Sequence, residues 1–300
     1  MYDSLRDVAG RFFASEQPET RRVFHGRGHL FPGLEHVCVD WFAPVVLVTS
    51  YEDIDDPDAL AAAILTGDVH GQIKSLLLQY RNRKGAPVTC LHGEPMNYCV
   101  VKEGDLRFEV QPGVNQNAGL FLDMRPLREW LVNYSADRNV LNLFAYTCTL
   151  SVAALAGSAR QVCSVDMSKP SILWGQRNHD LNGQNPRAVK SIPHNLFRSW
   201  GRIQQFGRYD TVIIDPPSRQ RGSFDAEKNY GAVLKKLGKL VNPEADIIAT
   251  VNSPYLGEDF LPHQFQRYAP KYRLVGMMPA SPEFEDKYPE RGLKIYHYRA

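Results

Sequence analysis

The chain has 300 residues, 43% of them hydrophobic, and 35 basic against 33 acidic side chains leave a formal net charge of +2. That length fits one large or two modest domains with a full core, and near-neutrality neither demands nor excludes nucleic acid, because a local patch can bind phosphate where the total does not. No apolar run approaches the ~18 residues of a membrane span, the polar start MYDSLRDVAGRFFASEQ lacks a signal core, and five scattered cysteines without a Cys-x-x-Cys pair indicate neither a disulfide framework nor a zinc site, so a reducing cytoplasm is the expected compartment.

Residues 1–35 read as a short helix followed by the Gly-rich loop GRGHLFPG. Strands are predicted over 36–41 and 44–50. An Ala-rich helix follows over 57–66, which Asp55 or Asp56 can cap. Another strand spans 74–80, and 97–102 with 106–111 form a hairpin turning at Glu103-Gly104-Asp105. Strands and one helix without βα alternation predict a small α+β domain over 36–112, a candidate RNA-binding module.

The rhythm changes in 113–300. A helix over 126–134 leads to a strand over 139–145, a helix over 150–156 and a strand over 161–165. The helix 169–181 is closed by Asn182-Gly183. A weak strand over 187–192, a short helix over 195–202 and a strand over 210–214 come next. An amphipathic helix over 228–240 and a strand over 246–251 follow, with closing strands at 272–278 and 293–298. This alternation predicts an α/β fold, a parallel, doubly wound Rossmann-like sheet. The last two strands suit an antiparallel edge.

The most informative stretch is Tyr209-Asp210-Thr211-Val212-Ile213-Ile214-Asp215-Pro216-Pro217-Ser218. Its apolar and β-branched run reads as a strand buried on both faces. Two prolines end it and hold the next backbone extended. A carboxylate and a rigid carbonyl are thereby fixed at the C-terminal edge of a sheet, where open α/β folds bind ligands; an ordinary strand-ending turn can have the same sequence. The first strand-to-helix turn, within 142–150, meets a helix N-terminus. It carries no Gly-x-Gly-x-x-Gly, so no dinucleotide is expected there. The second strand ends in Asp166-Met167, about 20 positions further on, where an acid can accept from both ribose hydroxyls and Met167 can lie on an adenine face. A helix cap and a core methionine are the plain alternatives, and the Asp-Pro-Pro tips the balance toward ribose.

Five segments in order resemble the bacterial 23S ribosomal RNA large-subunit methyltransferases of the I and K types. They are QNAGLFLDMR at 116–125, NLFAYT at 142–147, SVDMS at 164–168, RNHDLNG at 177–183 and DPPS at 215–218. The match runs back through Phe31-Pro32-Gly33-Leu34 and forward to Tyr288-Pro289-Glu290, so it covers almost everything after residue 25. No separate N-terminal PUA domain, as in the I type, is expected. The resemblance implies a class I methyltransferase with S-adenosylmethionine (SAM) as cofactor. By that likeness Phe144, Ala145, Tyr146, Thr147, Cys148, Asp166 and Met167 would hold SAM. Asp123 and Arg125 would orient its methionine end or its loop, and Asp215 would border cofactor and base. Unaided, Asp123 reads as a helix cap and Arg125 as an exposed first-turn residue. Two positions depart from the family: Cys148 stands where it usually has Gly, and the acid that meets the adenine amine is missing. Asn195 or His194 can substitute for that acid, or Asn195 can simply cap a helix.

Methylation of cytosine C5 needs a nucleophile that adds to the neighbouring carbon. I-type enzymes carry that cysteine just after the fifth strand, where this chain has Asn252. K-type enzymes, which methylate guanine N7, also show Asn there. A ring nitrogen already has a lone pair, so positioning drives an in-line transfer. The expected protein is therefore a SAM-dependent RNA methyltransferase acting on a base of large-subunit ribosomal RNA, a ring nitrogen favoured. Asp215 and the Pro216 and Pro217 backbone would hold the base, with Asn252 touching it or merely turning the chain. Amine methylation usually adds an aromatic stacked on the flipped base; Phe224 or Tyr255 could reach it. RNA contacts are expected from Arg81, Arg83 and Lys84 and from Arg219 and Arg221, while Lys235, Lys236 and Lys239 read as a solvated helix face. His25, His29 and His36 lack ligand spacing, so no metal is expected, and no membrane. The oligomeric state is open, a homodimer included. The rivals are a protein or small-molecule methyltransferase on the same fold, and a non-catalytic RNA-binding or ribosome-assembly factor.

Overall fold

The computed structural model describes residues 2–220 and 224–300. The chain divides into two compact units, Met1–Leu122 with Ser281–Tyr288, and Asp123–Ala280 with Pro289–Ala300.

The first unit opens with helix α1 (Asp3–Phe13) and a sheet of β1 (Arg21–His25), β2 (Val37–Phe42), β3 (Val45–Ser50), β4 (Ser75–Tyr80) and β5 (Val88–Gly93), in that spatial order. Helix α2 (Pro57–Leu65) makes the crossover between the parallel pair β3 and β4. It starts with Pro57 and is capped by Asp56, whose carboxylate accepts from the Ala59 N–H at 2.9 Å. Leu5, Ala9 and Phe13, spaced at i, i+4 and i+8, bury one face of α1 against Trp41 and Leu60. Strands β6 (Cys99–Glu103) and β7 (Leu106–Val110) form the expected hairpin, with Gly104 at φ 57° in its turn. The N-terminal segment read as helix and loop also contains β1. Its buried Val23 and Phe24 sit between basic residues, and it becomes a strand only by pairing with β2.

The second unit alternates α3 (Arg125–Tyr134), β8 (Asn139–Leu143), α4 (Thr149–Ala156), β9 (Gln161–Asp166), α5 (Lys169–Leu181), β10 (Val189–Pro193), α6 (Trp200–Gln205) and β11 (Tyr209–Ile214). The short pair β12 (Arg219–Gln220) and β13 (Phe224–Asp225) precedes α7 (Ala226–Leu234), α8 (Leu237–Leu240) and β14 (Val241–Asn252). Helix α9 (Phe260–Tyr268), β15 (Arg273–Met278) and β16 (Leu293–Arg299) complete it. The sheet order is β10-β9-β8-β11-β14-β16-β15. Its first five strands are parallel, and β16 and β15 close it antiparallel. This is the Rossmann-like α/β sheet that the alternation predicts. Val140, Leu141, Val212, Ile213, Ile247 and Ile248 are fully buried, each contributing about 1.5–3 kcal/mol by leaving water. Going along the chain, β9 and β10 are laid to one side of β8, and β11 and β14 to the other. The switch between β8 and β11 opens a crevice at the carboxyl edge, the usual ligand position in such sheets.

The helix expected over 228–240 is two pieces. The Lys236 N–H bonds the Val233 carbonyl at 2.9 Å, an i→i−3 tightening that ends α7, and the turn returns Leu237 and Leu240 to the core. The short helix expected over 195–202 is a 3-10 turn at Leu196–Arg198 followed by α6. Among the described residues no helix is long and apolar enough to cross a membrane.

Candidate functional site

The carboxyl edge is shaped first by the turn after β8. Phe144, Tyr146 and Cys148 have φ of 63°, 46° and 59°. Three alternate non-glycine residues in the left-handed region each store about 1 kcal/mol or more, a strain typical of functional turns. The turn is pinned from several sides. The Ala145 N–H bonds the Val165 carbonyl at 3.0 Å, and the buried Asn178 amide of α5 donates to the Thr147 carbonyl at 2.9 Å. Cys148 is 2% exposed, its thiol lies against Gly175 of α5, and burial pushes that thiol up to about 12.

Asp166 ends β9 beside this turn. Its Oδ2 accepts from the Tyr146 N–H at 2.9 Å and its Oδ1 from the Ser168 N–H at 2.8 Å. Burial pushes its pKa up, partly offset by the N–H groups of Ser168 and Tyr146. Two accepted bonds leave a carboxylate with capacity for two more, which fits the two hydroxyls of a ribose. The residue that caps α5 is Ser168, not Asp166; its hydroxyl accepts from the Ser171 N–H at 3.3 Å. Met167 is 42% exposed, not a core residue. The Tyr146 hydroxyl is pushed up to about 12 by burial and by the Asp166 charge.

Asn195 follows β10 and caps the next turn, its Oδ1 accepting from the Phe197 N–H at 2.9 Å. His194 Nδ1 lies 3.3 Å from the Ser199 hydroxyl. Asp123 lies in the 3-10 turn before α3, and Arg125 donates to Glu129 at 2.9 Å along that helix.

Asp215 follows β11, and its N–H bonds the Leu143 carbonyl of β8 at 3.4 Å, which stitches it to the switch point. The Thr250 hydroxyl of β14 donates to Asp215 Oδ1. Burial lifts Asp215 to about 6; the Thr250 bond pulls it down and the nearby Asp123 charge pushes it up. Pro216 is buried and Pro217 exposed. The Ser218 hydroxyl donates to the carbonyl of the exposed Asn252, which ties the end of β14 to the segment after Asp215. The two aromatic candidates part company. Phe224 is 2% exposed, packed edge-on to Phe144 and stacked on Phe197, whereas Tyr255 is 91% exposed on the loop after Asn252.

The cofactor and base candidates of the second unit thus hang on its sheet's carboxyl-edge connections and the turn before α3. Arg219 is exposed in β12, and Arg221 lies outside the described residues. Arg81, Arg83 and Lys84 belong to the first unit. There Arg81 donates to the Gln116 carbonyl and to Asn117, Arg83 pairs with Asp53 at 2.9 Å over the face of Tyr80, and Lys84 is exposed. Thr250, Tyr230 and Asn178 are site-supporting residues that sequence reasoning missed. Asn178 lay inside a quoted segment, but Thr250 and Tyr230 read as ordinary core positions. Among the described residues no group of three His, Cys, Asp or Glu side chains could hold a metal ion.

The profile of the S-adenosylmethionine-dependent methyltransferase family matches residues 21–299. Ribosomal RNA large subunit methyltransferase K/L of Methylococcus capsulatus is 35% identical over 179 residues, 57% of this chain and 24% of that protein. Ribosomal RNA large subunit methyltransferase I of Alteromonas mediterranea is 32% identical over 224 residues, 72% of this chain and 53% of that protein. The chain therefore spans about a quarter of the first relative and about half of the second. The crystal structure of SMU.776 with SAH superposes with a TM-score of 0.85 at 22% identity, covering 99% of this chain and 80% of that one, a likeness of fold. With the profile covering nearly the whole chain, this protein belongs to the S-adenosylmethionine-dependent methyltransferase family.

Proposed function

We propose that this protein methylates a base of large-subunit ribosomal RNA, at a ring nitrogen rather than at cytosine C5. The carrying observation is that, among the described residues of the second unit, no usable thiol is found. Asn252 ends β14, and the two cysteines of this unit, Cys148 and Cys163, are buried with thiols pushed by burial to about 12 and about 11. A thiolate nucleophile needs an exposed site that lowers its pKa. A ring nitrogen needs only to be held in line. The names of the K/L and I relatives support ribosomal RNA as the substrate.

In this reading SAM supplies a methyl group made electrophilic by its sulfonium. Asp166 would accept from the ribose, Met167 would serve the adenine face, and Asn195 would serve its edge. The turn from Phe144 to Cys148 would hold the nucleoside, and Asp123 and Arg125 would orient the methionine end. Asp215, with the Pro216 and Pro217 backbone, holds the base by hydrogen bonds, Asn252 touches it, and Tyr255 offers a face on which a base can stack. Lys84, Arg81, Arg83, Arg219 and Arg221 contact RNA phosphate.

The test uses a large-subunit ribosomal RNA transcript, isotope-labelled SAM and the purified protein, with the labelled nucleotide mapped by mass spectrometry. A methylated ring nitrogen is expected. A 5-methylcytosine product, or label appearing in protein extract and not in RNA, overturns the proposal. SAM at 100 times its dissociation constant is expected to stabilise the protein by about 2.7 kcal/mol.

A further inference from the structure

Two residues with no direct place in the site above support Asp215, one through its carboxylate and one through the backbone beside it. Thr250 is fully buried in β14, and its hydroxyl donates to Asp215 Oδ1. Its carbonyl accepts from the Tyr230 hydroxyl at 3.1 Å, and the same hydroxyl lies 3.3 Å from the Ile214 carbonyl. Tyr230 comes from α7 and is also fully buried. One phenolic proton is thus shared between neighbouring strand ends: the peptide that enters Asp215 and the residue that grips its side chain. Among the described residues Asp215 Oδ2 has no hydrogen-bond partner.

We propose that Thr250 and Tyr230 are positioning residues, which lock Asp215 with Oδ1 occupied and Oδ2 left to accept from the substrate base. This rests on the reading of Asp215 as the base-holding group. Without the Thr250 donor the carboxylate loses its fixed rotamer; without the Tyr230 hydroxyl the two strand ends lose the proton they share. The groups that face Asp215 are few: Asp123 raises it by charge, Thr250 lowers it by its hydrogen bond, and Tyr230 is the titratable group beneath. Protonation of Asp215 removes its charge and turns one of its oxygens into a donor, so the clamp has a readout in pH.

The experiment measures methyl transfer to the ribosomal RNA transcript from pH 5 to 9, with SAM affinity by calorimetry, for the wild type and for Thr250→Val, Thr250→Ser, Tyr230→Phe and Asp215→Asn. For Thr250→Val, nearly isosteric but without a donor, the acid limb is expected to move up by about one pH unit. Thr250→Ser, which keeps the hydroxyl, is expected to overlay the wild type. Tyr230→Phe is expected to lower kcat about fivefold at every pH with SAM affinity within twofold. It deletes a single oxygen, so it tests the clamp even if Thr250→Val does not fold. Wild-type pH profiles in Thr250→Val together with wild-type kcat in Tyr230→Phe, while Asp215→Asn is inactive, overturn the clamp alone. Full activity in Asp215→Asn overturns the reading of Asp215 and the clamp with it.

Discussion

Asp215 is a residue whose place in the site costs the fold something. Burial holds its pKa at about 6 in the folded protein, with Thr250 pulling down and Asp123 pushing up, whereas an unfolded aspartate titrates near ~3.9. The folded state therefore binds this proton more tightly than the unfolded one. The penalty is absent below about pH 4, grows as pH rises, and is complete above about pH 6. A gap of about two units is worth ~3 kcal/mol, and partial exposure to solvent reduces it to about 1–2 kcal/mol. Asp215→Asn keeps an acceptor for Thr250 and removes the charge. At pH 8 it is expected to melt about 2–6 °C above the wild type and to match it at pH 4, while losing about 100-fold or more in methyl transfer. Thermal melts at both pH values and a transfer assay check this; a variant no more stable at pH 8 would sink it. Cys148 presents the opposite balance. At φ 59° it carries left-handed strain, but its buried thiol fills space beside Gly175 and Ile172. Cys148→Gly relieves the strain and loses the packing, whereas Cys148→Ala loses the packing alone. Urea denaturation is expected to find the glycine variant about 1 kcal/mol the more stable of the two.

At the scale of elements, the turn after β8 and helix α5 act as one body. A Cβ on Gly175 would come within 2.4 Å of the Cys148 sulfur and 2.8 Å of its Cβ. Ala in place of Gly inside an exposed helix would gain about 1 kcal/mol. Here Gly175→Ala is expected to cost about 2–3 kcal/mol by overpacking and to weaken SAM binding, because the displaced turn belongs to the proposed cofactor pocket. In a Cys148→Gly background both close contacts vanish, so the same substitution is expected to cost under ~1 kcal/mol and SAM affinity to return. A double-mutant cycle by denaturation and calorimetry measures that coupling of about 2 kcal/mol; simple additivity would refute it. The C-terminal end of α5 was legible in the sequence because its signal is local, Asn182-Gly183 after Leu181, with Gly183 at φ 61°; at the other end Asp166 read as the cap, and the structure gives that place to Ser168. The Asp-Pro-Pro stop and Asp166 were legible for the same reason, since a strand's last residue sets what stands at its sheet's edge. Strand β1, the edge strand β5 and helix α9 were not. The strand β1 buries two apolar residues and depends on a partner, β2, that lies further along the chain. In α9 the signal is only Leu261 and Phe265, one helical turn apart and flanking a proline. The Thr250–Tyr230 clamp was hidden because each residue alone satisfies a core pattern, and only the folded sheet brings their polar atoms to Asp215.

Across the whole second unit, the two edges of the sheet carry opposite electrostatics. At the carboxyl edge burial lifts Asp215 to about 6. Toward the other end of β14, Asp246 is 1% exposed, yet His297 reaches its Oδ1 at 2.6 Å, Arg299 donates to the same oxygen at 2.9 Å, and Arg138 donates to Oδ2. Burial there opposes ionisation, but the bonds from His297, Arg138 and Arg299 outweigh it and hold the carboxyl at about 2. Arg138 comes from the entry to β8, and His297 and Arg299 from β16. The cluster therefore fastens the antiparallel closing strand to the parallel core. Its folded pKa lies below the unfolded value, so its contribution is complete above about pH 4 and fades as pH falls toward 2. Asp246→Asn leaves three donors around a neutral amide and is expected to cost about 3 kcal/mol at pH 7. That cost should shrink in acid, because the wild type then loses the same charge. Urea unfolding of both proteins at pH 7, 5 and 3 measures the convergence, and a constant gap across the three would contradict it. SAM affinity at 20 °C should stay within about twofold, since the proposed cofactor residues hang on the far edge of the sheet and a rigid parallel core separates the two. A variant that loses SAM affinity while remaining folded would show that the amino-edge cluster also shapes the crevice, and that the two edges are not independent.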